Sequence, residues 1–285
     1  MIILVVLGFF LILSGVISDE FLSVRRTEVM VRRFYLKQQV YHEAVSALKL
    51  LSSYFREDNA SYDTLSDLWA YPFELPISEG EIRIRVEDEE RYLNLNLVRT
   101  EAGFKVVRRL FEELHITSIS PELLRVWVGG PGFWDRAYPP KKAPLDSLEE
   151  LLFLGLSRQD FYGKAEGFIF YPGLSSLTTV WSNGRVNLNT APPEVIMALS
   201  PRVNRTLAKR LVEYRRTHAL KKVEDVVLVE GFDFEILHDL RPWATVKSEN
   251  FRVTIEVRVG EVEGELNAIL RRTGSDLKVV YWRFS

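Results

Sequence analysis

Positions 1–17 are almost wholly apolar, and no Gly or Pro follows Gly15 until Pro72. As a helix the apolar run rises roughly 26 Å, slightly short of the roughly 30 Å hydrocarbon layer, so it is just able to span. It ends abruptly in Ser18, Asp19 and Glu20, with Arg25, Arg26, Arg32 and Arg33 beyond. A cleaved signal peptide would carry a basic start and a small-x-small site; neither is present, so the segment reads as a retained anchor. From position 21 to 55 apolar residues recur at three and four, with Phe34, Tyr41, Val45, Leu48, Leu51 and Phe55 on one stripe. That spacing predicts a long helix with one buried face.

The period then changes. Residues 56–80, with Pro72, Pro76 and Gly80, read as a loop holding one turn near 64–70. Residues 81–86 alternate as a half-buried strand, Asp88, Glu89 and Glu90 turn the chain in solvent, and 92–97 alternate again as the second arm of a hairpin. Between 99 and 173 the spacing is helical, with faces at Phe104, Val107, Leu110 and Phe111, at Leu123, Leu124 and Val126, and at Leu148, Leu151 and Leu152. Three short helices and a long loop at 129–144 are expected there. Residues 178–190 return to strand character, Asn183-Gly184 signalling a type I′ turn. Helices resume over 191–240, and strands near 251–259, 264–272 and 277–284 close the chain as an antiparallel meander.

Asn94-Leu95-Asn96 is echoed by Asn187-Leu188-Asn189, in each case a strand leading into helices. The plain reading is capping, by Asn96 and by Thr190. The second copy opens the most specific run, Asn187-Leu-Asn-Thr-Ala-Pro-Pro-Glu194, in which Thr190, the prolines and Glu194 encode a helix start. A further helix over 204–217 and a third beginning at 223–228 make a unit resembling helix-hairpin-helix modules. Its loop, 200–204, lacks glycine, and Glu224, Asp225, Glu230 and Asp233 oppose phosphate.

Composition narrows the function classes. A 47% hydrophobic chain of this length buries a substantial core, and a net charge of −2 with both signs interspersed offers no field to gather nucleic acid. The chain has no cysteine, so disulfides, thiolate metal sites and cysteine nucleophiles are excluded. His42, His115, His218 and His238 lie too far apart in sequence for a zinc pair on one helix. There is no nucleophile elbow, Walker lysine or Rossmann glycine pattern. No catalytic or cofactor-binding residue is assigned, and the expectation is a protein that is not an enzyme.

The hydrophobic helix, Asp67-Leu68-Trp69-Ala70, the run ending in Asn94-Leu95-Asn96, the helical insertion, the Asn187 motif and the final meander together resemble general secretion pathway protein K. That family is the large minor pseudopilin of type II secretion systems, and the likeness spans nearly the whole chain. It implies an α+β, pilin-like fold: a long N-terminal helix packed on an antiparallel sheet, with an all-α domain inserted. The expected organisation is an anchor at 1–18, the amphipathic half of the helix at 19–57, the first part of the sheet at 58–98, the inserted helices at 99–178, a strand plus SAM-like, helix-hairpin-helix-like unit at 179–245, and C-terminal strands at 246–285. The resemblance implies a single-pass inner-membrane protein with a periplasmic head at the tip of the pseudopilus. Its implied partners are minor pseudopilins I and J, with secreted substrate proteins as a further candidate and no nucleic acid. It also implies that the gene product starts upstream of Met1 with a basic leader ending in glycine. Family members can bind calcium through an Asp-rich loop in the insertion; here that loop is 129–142, with Asp135 as its one carboxylate. The competing reading is a membrane-anchored helix-hairpin-helix DNA-binding protein of a competence or type IV pilus machine, whose marks would be a hairpin glycine and a basic face.

Overall fold

A computed structural model describes residues 1–57, 61–274 and 276–285. Helix α1 runs unbroken from Ile2 to Glu57 (Ile2–Glu57). Residues 2–35 of it have no buried side chain, and from Leu36 onward one face is covered, through Leu36, Val40, Ala44, Ala47, Leu48, Leu51 and Phe55. The expected stripe is right at Leu48, Leu51 and Phe55, with Val45 partly buried against the same core, and fails at Phe34, which is 61% exposed, while Tyr41 lies at the margin of the buried face. Counting only large residues missed the alanines, which let the helix axis approach the sheet closely.

The sheet has five antiparallel strands in the order β1-β2-β9-β10-β11, with β1 Phe73–Ile77, β2 Gly80–Asp88, β9 Asn250–Val259, β10 Val262–Thr273 and β11 Asp276–Phe284. Alternation in β9 sends Phe251, Val253, Ile255, Val257 and Val259 toward α1 and Arg252, Thr254, Glu256 and Arg258 outward. The outer face carries a charge ladder, Arg83 reaching Glu74 at 3.1 Å and Glu256 at 3.4 Å, and Arg258 reaching Glu81 at 2.8 Å. Strand β1 occupies part of the segment expected as loop, and it tolerates Pro76 because it is an edge.

Strand β2 pairs with β9, so residues 89–249 are an insertion between two neighbouring strands. The expected hairpin of 81–86 with 92–97 does not form. Instead Leu93–Asn94 (β3) pairs in parallel with Thr178–Thr179 (β6), and 95–99 coil into a 3-10 turn. The insertion holds α2 Glu101–Glu113, α3 Pro121–Trp127, α4 Glu150–Phe153 and α5 Arg158–Tyr162, followed by a β-hairpin of β4 Gly163–Glu166 and β5 Ile169–Pro172. It is therefore helical with one small hairpin, where helices alone were expected. The 178–190 segment also differs: β6 and β7 (Val186–Asn187) belong to separate pairs, β7 joining β8 (Ala244–Thr245) in parallel, and only Gly184 of the Asn183-Gly184 pair has positive φ. Helices α6 Pro193–Leu199, α7 Arg205–Tyr214 and α8 Phe234–Leu240 fill the span between them. Two apolar cores result, one between α1 and the sheet and one inside the insertion.

Candidate functional site

The two cores meet at a buried polar junction. Asp88, Glu89 and Glu90, expected in solvent, are fully buried. Asp88 ends β2 and accepts from Thr190 Oγ1 at 2.5 Å, from Asn187 Nδ2 at 3.2 Å and from the Glu90 amide at 2.8 Å. Glu89 pairs with Arg252 at 2.7 Å and accepts from the Thr179 hydroxyl. Glu90 takes four N–H donors: Asn250 Nδ2 at 2.6 Å, the Asn250 amide at 2.9 Å, and the Glu249 and Asn183 amides at 3.2 Å. Asp63 is held by Arg272 at 3.1 Å and the Ser248 amide at 2.7 Å, and Arg272 lies over the rings of Phe55 and Phe251. Each carboxylate thus ties the sheet to a different part of the insertion or its approach.

Burial pushes these acids up. Asp63 rises to about 6 through desolvation, opposed by Arg272. Glu90 rises to about 8, through desolvation and then through Asp88, its N–H donors pulling the other way. Asp88 and Glu89 are raised by desolvation too. Four acids face two paired arginines, and Asp88 and Glu90 rely on neutral donors.

The Asn-Leu-Asn echo is a repeated device. Asn94 Oδ1 accepts from the Asn96 amide and Asn187 Oδ1 from the Asn189 amide, each at 2.9 Å. The second asparagine then clasps a leucine backbone with both ends of its amide. Asn96 accepts from Leu145 N at 2.7 Å and donates to Leu145 O at 3.2 Å; Asn189 accepts from Leu220 N at 2.9 Å and donates to Leu220 O at 2.8 Å. Each unit then closes with a two-residue parallel pair, β3 with β6 and β7 with β8. Capping falls elsewhere than expected: Thr100 caps α2, Pro192 precedes α6 without a side-chain bond, and Thr190 turns to Asp88.

In the helix-hairpin-helix unit, α6 and α7 flank the 200–204 loop, whose polar groups are engaged internally. Ser200 Oγ donates to Asp239 at 2.8 Å, Arg202 reaches the same carboxylate at 2.7 Å, and Asn204 caps α7. A second hairpin, missed in the sequence, joins the 3-10 turn at 223–228 to α8 and does contain a glycine, Gly231, at φ 91°. Gly231 is required there: besides the φ, an added Cβ would lie 2.6 Å from Leu207 Cδ2. Val229-Glu230-Gly231 was the available signal. Acidic Glu230 and Asp233 flank it, and Asp233 caps α8 through the Ile236 amide at 2.8 Å.

Comparison with known proteins follows this division. A family model described as a helix-hairpin-helix motif matches residues 182–245. A curated protein of Danio rerio, "Endonuclease/exonuclease/phosphatase family domain-containing protein 1", is 43% identical over 67 residues, 23% of this chain and 12% of that protein. The chain therefore matches about an eighth of that relative's length. Among solved structures, a chain of the GspK–GspI–GspJ complex from the enterotoxigenic Escherichia coli type 2 secretion system superposes with a TM-score of 0.65, covering 90% of this chain and 99% of its own length at 17% identity. The fold is that of this chain of the complex: a long apolar N-terminal helix, an antiparallel sheet and inserted helices.

The calcium loop implied by resemblance does not fit the ion. Asp135 lies beside Arg136 at 3.7 Å, and the following acids are occupied: Lys141 Nζ reaches Asp146 at 2.7 Å and Glu150 at 2.8 Å, and Trp127 Nε1 donates to Glu150 at 2.9 Å. Calcium takes six or more oxygens. Here a lysine supplies the cation, and Trp127, Trp134, Tyr138 and Phe153 form an aromatic cluster that holds the loop. Among the described residues no group of three or more His, Cys, Asp or Glu converges as a metal site, and the histidines stay scattered, His218 stacking on Tyr214.

Helix α1 is long and apolar enough near its N-terminus to cross a membrane, and none of that window is buried. Between the apolar run and the sheet, residues 18–35 project bare, with Val24, Val31 and Tyr35 bordering a shallow apolar strip.

Proposed function

We propose that this chain is a K-type minor pseudopilin, anchored in the inner membrane with its head in the periplasm, acting at the tip of a type II secretion pseudopilus and partnered by minor pseudopilins of the I and J types. The observation that carries the reading is the fold match over 90% of the chain to a member of the GspK–GspI–GspJ complex. The continuity of α1 supports it, because one helix joins a membrane-length apolar segment to a sheet-packed half. In a helical filament each repeating subunit needs compatible upper and lower faces. An insertion spanning 89–249 enlarges the head and would obstruct a neighbour above, an obstacle that a tip subunit does not meet. The exposed strip at Val24, Val31 and Tyr35 is where partner helices would lie.

The role is structural, without catalysis and without nucleic acid. Co-expressing the full chain with the I- and J-type pseudopilins of its own genome and purifying it in detergent should yield a discrete heteromeric complex by light scattering. Homopolymers, or no association with either partner, would overturn the assignment. A gel-shift titration supplies the contrast: salt-sensitive micromolar binding of DNA would move the helix-hairpin-helix reading ahead.

A further inference from the structure

The two edges of the sheet are finished differently. Strand β1 is five residues long and contains Pro76, features that blunt an edge. Strand β11 is nine residues long and has no proline, and its Val279, Val280, Tyr281 and Trp282 are 41–46% exposed; its one irregularity is a bulge at Val280, where the register against β10 shifts. Among the described residues it pairs with β10 alone, so its outer row of N–H and C=O groups meets no strand there.

A groove of about 890 Å³ runs beside this edge on the face away from α1. Tyr281 and Arg283 of β11 form one wall with Ile269 and Asn267 of β10; Trp181 and Tyr162 of the insertion form the other. Trp181 lies against Tyr281 with ring centroids 5.3 Å apart. Charge in the groove is mixed: Asp146 and Glu149 line it from the insertion, Asp146 held by Lys141, and Arg252 is paired with Glu89, whereas Arg283 on β11 is exposed and in no ion pair among the described residues. Along the strand, exposed Lys278 adds a second positive charge and exposed Asp276, at its start, a negative one.

We propose that β11 and this groove form a docking site for one extended strand of another polypeptide, carrying apolar side chains at alternate positions and a carboxylate. Strand addition supplies affinity through main-chain hydrogen bonds, and every second side chain of the added strand would point into the groove. The aromatic walls take the apolar side chains and Arg283 takes the carboxylate as a charge-assisted pair. A second copy of this chain fits less well. The edge is bracketed by the insertion on one face and by α1 on the other, where Tyr41 meets Trp282 at 6.1 Å, so an incoming sheet would bring its own helix and insertion against both. The site goes beyond the assembly role and does not depend on it.

The test uses the full chain in detergent and a short fluorescein-labelled peptide that alternates valine with threonine and ends in glutamate. Fluorescence anisotropy should show saturable binding, and hydrogen exchange should slow at residues 276–284. A matched peptide with prolines at alternate positions should not bind, since it lacks the donors. The surface substitution Arg283→Glu should weaken the glutamate peptide at least tenfold while leaving a glutamine-ended version nearly unchanged. Equal binding of the proline peptide, protection away from β11, or an Arg283→Glu variant indistinguishable from the parent would overturn the proposal. A dimer whose 276–284 amides are already protected without peptide would also overturn it, in favour of a second copy.

Discussion

Asn250 holds Glu90 with both its side chain and its backbone, Nδ2 reaching Oε1 at 2.6 Å and the amide reaching Oε2 at 2.9 Å. The carboxylate two residues beyond β2 is thereby fixed to the first residue of β9, from the start of the insertion to its end. It is buried, lies near Asp88, and is raised to about 8.

A raised acid binds its proton in the folded chain at a pH where the unfolded chain has already lost it. The stability it contributes is complete below the unfolded value near 4.5 and is lost as pH rises toward 8. Asp63, raised to about 6, acts in the same direction over a narrower window. Thermal melts of the full chain in detergent should therefore show the melting temperature falling between pH 5 and pH 9. Glu90→Gln should reduce that slope, with Asp63, Asp88 and Glu89 supplying the remainder, even if the variant is less stable at acid pH. A melting temperature that rises over this interval would contradict the account.

The asparagine clasps predict an asymmetry between the two repeats. Asn189 is 2% exposed, and truncating it to alanine leaves the Leu220 N–H and C=O buried without partners, costing about 3 kcal/mol. Asn96 is only partly buried, so water can replace it at Leu145, and Asn96→Ala should cost about 1 kcal/mol. Urea titrations of the two variants would show the order, and equal losses would mean the clasps are not the units described.

What the sequence displayed was whatever depends on neighbours along the chain. The alternation in β9 and β10 marks the meander because each strand has one core face and one solvated face, and the long apolar start of α1 is equally plain. The Asn-Leu-Asn echo was visible, yet its meaning was not, because Leu145 and Leu220 lie 49 and 31 residues from the asparagines that hold them. Asp88, Glu89 and Glu90 were misread for the same reason: their partners Thr179, Thr190, Asn250 and Arg252 lie 90 or more residues further along the chain. Gly231 stood beyond the helix pair in which a hairpin glycine was sought.

The close approach of α1 to the sheet makes Gly264 on β10 a sensitive position. A Cβ there would lie 2.7 Å from Val40 Cγ1 and 2.7 Å from Phe284 Cζ, so both contacts must give. Gly264→Val is expected to destabilise the head by about 1–3 kcal/mol, as overpacking does. Because the strain falls on the helix contact, Val40→Ala should recover part of the loss, which a double-mutant cycle would measure. Additive losses from the two substitutions would rule out this contact as the cause.

The last prediction concerns the loop at 129–142, where the resemblance implies calcium and Lys141 instead reaches the acids that follow it. Glu150 is already committed to Lys141, to the Asp146 amide at 2.7 Å and to Trp127 Nε1, and its carboxyl is held below the usual range although burial alone would raise it. A divalent ion would have to displace Lys141 and still find further oxygens, with Asp135 engaged by Arg136. A ligand that binds the folded state alone raises the melting temperature with its concentration. Neither millimolar calcium nor EDTA should therefore shift the melt of the parent chain. Lys141→Met removes the built-in cation and leaves Glu150 and Asp146 facing each other without it, so this variant should melt lower, and calcium should recover part of the loss if the freed oxygens can gather an ion. A calcium-dependent rise in the parent chain comparable to that in Lys141→Met would show that the lysine does not stand in for the ion.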